Sequence, residues 1–149
     1  GFDCHELHNI LNKKSGLLGL SEISSDLRDI EAAADKGNEN AIQAMDTYAY
    51  RIRRYIGAYA ANLIKVDGIV FTGGIGENAV KMRERICSRL ENIGIHISPE
   101  KNRKVGGSAG IISQPYSPTT ILVIPTNEEL QIALDAAQII NPELKTVVL

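Results

Sequence analysis

An apolar segment that runs directly into a glycine-rich turn constrains the fold of this chain most. Residues 66–71 read VDGIVF, and residues 72–78 read TGGIGEN, with three glycines in four positions. β-branched and aromatic residues bounded by glycine predict a strand. A continuous apolar run further predicts burial on both faces, as in a parallel sheet. We therefore expect residues 68–72 to be a strand of an α/β domain, with a glycine loop at its carboxyl end.

The rest of the chain alternates helical and strand patterns, which again indicates the α/β class. Helices are predicted over 4–13, from Asp29 to Gly37, over 38–65 with Asn38 as the cap, over 78–90, and over 128–140 before Pro142. Further strands are predicted over 94–98, 109–114 and 119–125. Residues 14–28 are predicted to be a connecting loop, and residues 99–107 a surface turn or a helical turn.

The glycine loop is a candidate ligand site. Ligands in open α/β sheets bind outside the carboxyl ends of the strands, and glycine allows close backbone approach. Gly73, Gly74 and Gly76 therefore suit contact with a nucleotide, and Asn78 suits a helix cap or a hydrogen-bonding side chain. The segment has neither the GK[ST] of a Walker loop nor the spacing of a dinucleotide fingerprint. The alternative is a tight turn between strand and helix.

Two other segments carry candidate chemistry. PTNEE at 125–129 follows the second strong strand, so Thr126 or Asn127 can cap the next helix. One of its carboxylates could instead bind magnesium beside substrate phosphates. In SSDLRD at 24–29, Arg28 suits a phosphate or a base, or alternatively forms a surface pair with an aspartate.

Composition narrows the class of protein. The 149 residues carry a net charge of -2. The sequence contains no basic stripe, so we do not expect it to bind nucleic acid. No apolar run approaches the ~20 residues of a membrane span, and the start of the chain does not resemble a secretory signal. The two cysteines, Cys4 and Cys87, are too few for a disulfide framework and form no CxxC pair. This pattern predicts reduced thiols in a cytoplasmic protein. The tyrosines of the long helix favour an interface with a partner helix or subunit.

Taken in order, four motifs resemble a known family. LNKKSGLLGLS, SSDLRDI, VFTGGIGEN and VIPTNEEL are similar to the carboxy-terminal part of the acetokinase family, over about Leu7 to Ile140. Its members include the acetate kinases, and it belongs to the ribonuclease H-like superfamily of actin, sugar kinases and Hsp70 ATPases. The resemblance implies an α/β domain with a mixed sheet flanked by helices. Residues 1–149 would be the nucleotide-binding portion of an acetate kinase, an incomplete domain without the amino-terminal catalytic part.

The resemblance also implies an activity and site residues. The family phosphorylates acetate with ATP, reversibly, giving acetyl phosphate and ADP with Mg²⁺. Positions that match its nucleotide contacts are Asp26, Leu27 and Arg28 beside the adenosine, and Gly74, Ile75, Gly76, Glu77 and Asn78 in the adenosine-binding loop. Glu128 matches the glutamate of its magnesium site.

The same resemblance marks what this sequence lacks. Family chains are more than twice as long, and their catalytic aspartate and histidines, clamping arginines and HLGNG phosphate loop have no counterpart here. We therefore expect no catalytic residue in this fragment and no activity from it alone, with the short-chain carboxylate bound through the absent half. The alternatives are a fragment of a propionate or butyrate kinase, or a non-catalytic nucleotide-binding or interaction module.

The resemblance finally predicts an exposed strand edge. In the superfamily's fold, strands that precede the long helix would flank residues 68–72, and they are absent here. We expect that strand to lie at a bare edge of the sheet, and the chain to form a homodimer or to self-associate.

Overall fold

A computed structural model describes residues 1–141 of the chain, as helices around a small sheet. In chain order the elements are α1 (Cys4–Lys13), α2 (Gly16–Ser21), α3 (Leu27–Ala34), α4 (Glu39–Ala60), β1 (Gly68–Phe71), α5 (Gly73–Asn78), α6 (Val80–Cys87), a 3₁₀ turn (Glu91–Ile93), α7 (Pro99–Val105), β2 (Gly110–Ile111), β3 (Thr120–Val123) and α8 (Glu128–Ile140). This confirms the α/β class. Pro142, the predicted stop of α8, lies outside the described residues.

Side-chain caps define the starts of the longer helices. Asn38 accepts a hydrogen bond from the backbone N of Ala41 at 2.9 Å, which confirms the predicted cap of α4. Of the two candidates for α8, Asn127 is the cap, because its Oδ1 accepts from the backbone N of Leu130 at 3.0 Å. These bonds satisfy amide groups that a helix cannot pair internally.

Two predictions near the amino terminus are wrong. Residues 16–21, expected in a loop, form α2, because Leu17 packs against the core and outweighs the weak helix propensity of glycine. Helix α3 starts at Leu27 rather than Asp29, because Asp26 caps it by accepting from the backbone N of Arg28 at 2.9 Å.

One prediction fails in the second half of the chain, and one alternative is resolved. The strand expected over 94–98 is reduced to one isolated antiparallel bridge between Ile97 and Ser113. Of the surface turn and the helical turn predicted for residues 99–107, the helical alternative is correct. Residues 99–105 form α7, with proline at the start of its first turn and the Ser98 side chain as its cap.

The sheet is mixed, with strand order β1-β3-β2. Strand β1 pairs with β3 in parallel, and β2 pairs with β3 antiparallel. Within the described residues β1 has β3 as its one neighbour, so the predicted bare edge is confirmed. The predicted burial of β1 on both faces is wrong, because Val70 is 51% exposed while Phe71 is buried.

That asymmetry arises because helices cover one face of the sheet. Phe71, Ile121 and Val123 join the buried side chains of α3, α4 and α6 in one apolar core. The opposite face carries Val70, and α8 buries none of its own side chains. The carboxyl ends of β1 and β3 remain open, and this is where the candidate site lies.

The long helix α4 is buried along its first half only. Met45 and Ala49 lie in the core, whereas Tyr55 and Tyr59 in the second half are exposed. The helix ends at Ala60, five residues before the predicted end at residue 65. Of the helices in residues 1–141, none is long and apolar enough to cross a membrane. Both cysteines are free thiols, and burial raises the pKa of Cys87 to about 12, which keeps that thiol protonated.

Candidate functional site

The site is built where two parallel strands end side by side. Phe71 of β1 pairs in register with Val123 of β3, and the backbone N of Ile124 donates to the carbonyl of Phe71 at 2.9 Å. Because parallel strands end at the same edge of a sheet, α5 and the segment that starts α8 lie next to each other.

The glycine-rich segment forms the short helix α5 rather than an open loop. Gly73 has φ +70°, a conformation that favours glycine. A Cβ on Gly76 would lie 3.1 Å from the carbonyl carbon of Phe71, so packing against β1 requires this glycine. This packing is sufficient to explain Gly76, and its predicted contact with a nucleotide stays a prediction. Asn78 ends α5 instead of capping the next helix, and its Nδ2 donates to the carbonyl of Gly74 at 3.0 Å.

The carboxylate of Glu77 ties the two strand ends together. Its Oε1 accepts hydrogen bonds from the backbone N of Gly73 at 2.9 Å, the backbone N of Thr126 at 2.7 Å and the Oγ1 of Thr126 at 2.6 Å. The two bonds from Thr126 and then the one from Gly73 hold the pKa of Glu77 below its ordinary value. Glu77 thus fixes the start of α8 against α5.

A cavity of about 720 Å³ opens between α3 and α5. Its lining residues come from two segments: Ser25, Asp26, Leu27, Arg28 and Glu31 from the first, and Gly74, Ile75, Asn78 and Ala79 from the second. Six of the eight residues that the resemblance assigns to the nucleotide lie here. The other two do not line this cavity. Gly76 packs against Phe71 of β1, and the carboxylate of Glu77 accepts hydrogen bonds from Thr126.

Asp26 and Arg28 form a surface pair at this cavity. Arg28 Nη2 lies 2.5 Å from Asp26 Oδ2, and the Arg28 side chain is 90% exposed. Hydrogen bonds from Arg28, first from its side chain and then from its backbone, lower the pKa of Asp26 to about 2. Arg28 therefore does both things that the sequence suggested separately: it pairs with Asp26 at the surface and it lines a cavity.

Glu128 lines a second, smaller cavity of about 340 Å³. Its neighbours there include Gly73, Gly74, Glu77 and Thr126, so the two cavities share Gly74. Within residues 1–141, no group of three or more histidine, cysteine or acidic side chains is placed to hold a metal ion. The oxygen donor of Glu128 has the chemistry that magnesium prefers, but it fits only as one ligand of a set completed by substrate phosphates.

Sequence reasoning missed the residue that supports α5 from behind. Arg83 of α6 is fully buried. Its guanidinium donates to the carbonyls of Gly76, Glu77 and Gly106 at 2.8, 2.5 and 2.9 Å. It also donates to Asn102, to Oδ1 at 2.7 Å and to the carbonyl at 3.3 Å. The one available signal is its place between Met82 and Ile86, two core residues of the same helix.

The chain is similar to known proteins over most of its length. The model of the Acetokinase family matches residues 1–134. An acetate kinase of Pseudothermotoga lettingae is 52% identical over 140 residues, covering 94% of this chain and 34% of that protein. The crystal structure of Porphyromonas gingivalis acetate kinase matches with a TM-score of 0.86 and 46% identity, over 95% of this chain and 35% of that one. The crystal structure of a propionate kinase from Francisella tularensis matches with a TM-score of 0.81 and 41% identity. This match covers 89% of the present chain and 33% of the propionate kinase chain.

Proposed function

The chain belongs to the acetokinase family, and from this premise we propose that it forms the carboxy-terminal, nucleotide-binding part of an acetate kinase. It spans about a third of the length of the curated relatives it matches. The complete protein would transfer a phosphoryl group between ATP and acetate in the cytoplasm. This part would hold ATP or ADP, and the carboxylate substrate would bind to the rest.

One observation carries this proposal: the two cavities meet at Gly74. A nucleoside in the larger cavity would direct its phosphates past Gly74 toward Glu128. Phosphoryl transfer depends on positioning and on stabilising charge, so nucleotide contacts and a metal ligand at adjoining strand ends suit that chemistry.

Binding is tested on the chain itself. Titration with ADP, followed by amide chemical shifts, should move the resonances of residues 26–28 and 73–78. Changes centred elsewhere, with residues 73–78 silent, would reject this site.

Activity is tested by comparing this chain with the full-length polypeptide. We expect the full-length protein to form acetyl phosphate and this chain alone to form none. The clamping arginines of the family have no counterpart here, so binding energy cannot be directed at the transition state. Turnover by this chain on the order of 10 per second, as in ordinary enzymes, would contradict the proposal.

Glu128 would be the residue of this part that holds Mg²⁺. When bound, magnesium neutralises charge on the phosphate oxygens. In the full-length protein, Glu128→Ala should lower turnover and raise the magnesium concentration needed for half-maximal rate. The control is Glu100→Ala, an exposed carboxylate in the first turn of α7. An unchanged magnesium dependence would leave Glu128 with only the role of an acidic residue at a helix start.

A second candidate is a propionate kinase, because the Francisella propionate kinase has a similar fold at 41% identity. Rates of the full-length protein with acetate, propionate and butyrate would distinguish these activities. A protein that binds ADP but phosphorylates none of the three acids would instead be a non-catalytic nucleotide-binding module.

A further inference from the structure

Glu31 is a carboxylate inside the nucleotide cavity that the resemblance does not assign. It lies on α3 one helical turn beyond Leu27, and both residues line the cavity. Its side chain is 23% exposed, and its Oε1 is 3.6 Å from the Nζ of Lys81. That ammonium group lies closer to Asp35, at 2.6 and 2.8 Å from its two oxygens. Glu31 therefore keeps free acceptor positions.

Two other polar side chains that line the cavity, Asp26 and Asn78, are more fully engaged. Both oxygens of Asp26 accept hydrogen bonds from Arg28, at 2.5 to 3.1 Å. Asn78 donates to the carbonyl of Gly74, and its Oδ1 faces Gly107, where an added Cβ would lie 2.6 Å away. Of the two carboxylates lining the cavity, Glu31 is the one with capacity left for a ligand.

The placement of the two cavities orients a bound nucleotide. Phosphates belong at the Gly74 end, where the cavity adjoins Glu128. The nucleobase would then lie against the apolar side chains of Leu27, Ile75 and Ala79, which line the same cavity. Glu31 is one helical turn from Leu27 and lines the cavity with these side chains, and its negative charge would repel phosphates.

We propose that Glu31 determines nucleobase specificity by accepting a hydrogen bond from the exocyclic amino group of the base. The inference rests on the proposed function, which puts an adenine nucleotide in this cavity. A carboxylate is an acceptor only, and adenine presents an amino donor on its edge. A base without that donor leaves the carboxylate partly desolvated and unpaired, which costs affinity. Lys81 acts as a positioning residue that holds the Glu31 side chain at the cavity.

The test compares adenosine with purine riboside, which has hydrogen in place of the amino group and is otherwise identical. Both are titrated into the chain and followed by amide shifts. The wild-type chain should bind adenosine about tenfold more tightly, because hydrogen bonds to charged groups are the stronger ones. Glu31→Leu should remove this preference, and Glu31→Gln, which keeps one acceptor oxygen, should retain part of it. Glu100→Leu, outside the cavity, should retain all of it.

Each alternative result has a distinct meaning. Equal affinity of the wild-type chain for the two nucleosides would overturn the role of Glu31, and this comparison needs no variant to fold. If affinity falls with 2′-deoxyadenosine but not with purine riboside, Glu31 would be assigned to the 2′-hydroxyl group of the ribose. That result would also overturn the proposal. If ADP binds at residues 73–78 without discrimination between the nucleosides, the inference fails alone. If ADP does not bind there, the proposed function fails and the inference with it.

Discussion

Replacing Arg83 with methionine should destabilise the chain strongly, although this residue touches no predicted ligand. The substitution removes five hydrogen bonds to uncharged acceptors in the interior. Methionine keeps the unbranched stem but is shorter than arginine, so the loss combines polar contacts with some unfilled space. The carbonyls of Gly76, Glu77 and Gly106 would then lack these donors.

The expected magnitude is a difference between two terms. Hydrogen bonds to charged groups contribute roughly 1.5–3 kcal/mol each, so five of them contribute about 7–15 kcal/mol. Removing a buried cation recovers a desolvation penalty of several kcal/mol. We expect a net loss of about 4 kcal/mol in the free energy of unfolding, or roughly 10 °C in Tm for a chain of this size.

Urea unfolding followed by circular dichroism measures this loss. The midpoint should fall while the slope stays constant, which indicates a change in stability rather than in compactness. Arg85→Met is the matched control: it lies on the same helix but pairs with Asp46 at the surface, and should cost less than about 1 kcal/mol. If Arg83→Met costs as little as Arg85→Met, the buried network does not support α5.

Three further predictions follow from the fold. Gly76→Ala should cost about 1–3 kcal/mol in unfolding free energy, because its Cβ would lie 3.1 Å from Phe71; a neutral effect by urea unfolding would contradict this packing. Because the pKa of Asp26 falls to about 2 from 3.8, its stabilising charge is complete above about pH 4 and lost toward pH 2. The amide of Arg28 should therefore titrate near pH 2, not near 3.8. The bare edge of β1 should cause self-association, visible by light scattering over a concentration series and reduced by Val70→Lys; a strictly monomeric chain would refute it.

Local chemistry was enough to predict much of the fold. The cap residues placed the starts of α4 and α8 correctly, and the apolar runs placed β1 and β3, because each signal lies within a few residues of the boundary or strand that it defines. The family resemblance is also confirmed, by a match over residues 1–134. It rested on the order of four motifs rather than on any one of them.

The errors have tertiary causes. Nothing near Gly16 in sequence reveals that Leu17 packs on the core and supports a helix. The resemblance alone does not distinguish Gly76, which packs against β1, from Gly74, which lines the cavity. The contact between Glu31 and Lys81 joins residues from different helices, so no local pattern predicts it.

The tie between Glu77 and Thr126 also constrains the order of folding. These residues are 49 positions apart, and Glu77 has no such partner until β3 has paired with β1. Closing a loop of that length costs about 3.4 kcal/mol of chain entropy beyond a constant, before the contacts inside it are counted. We therefore expect the two halves of the candidate site to meet only once β3 has paired with β1. During synthesis, a nascent chain that has not yet reached Thr126 would carry the glycine segment without its anchor.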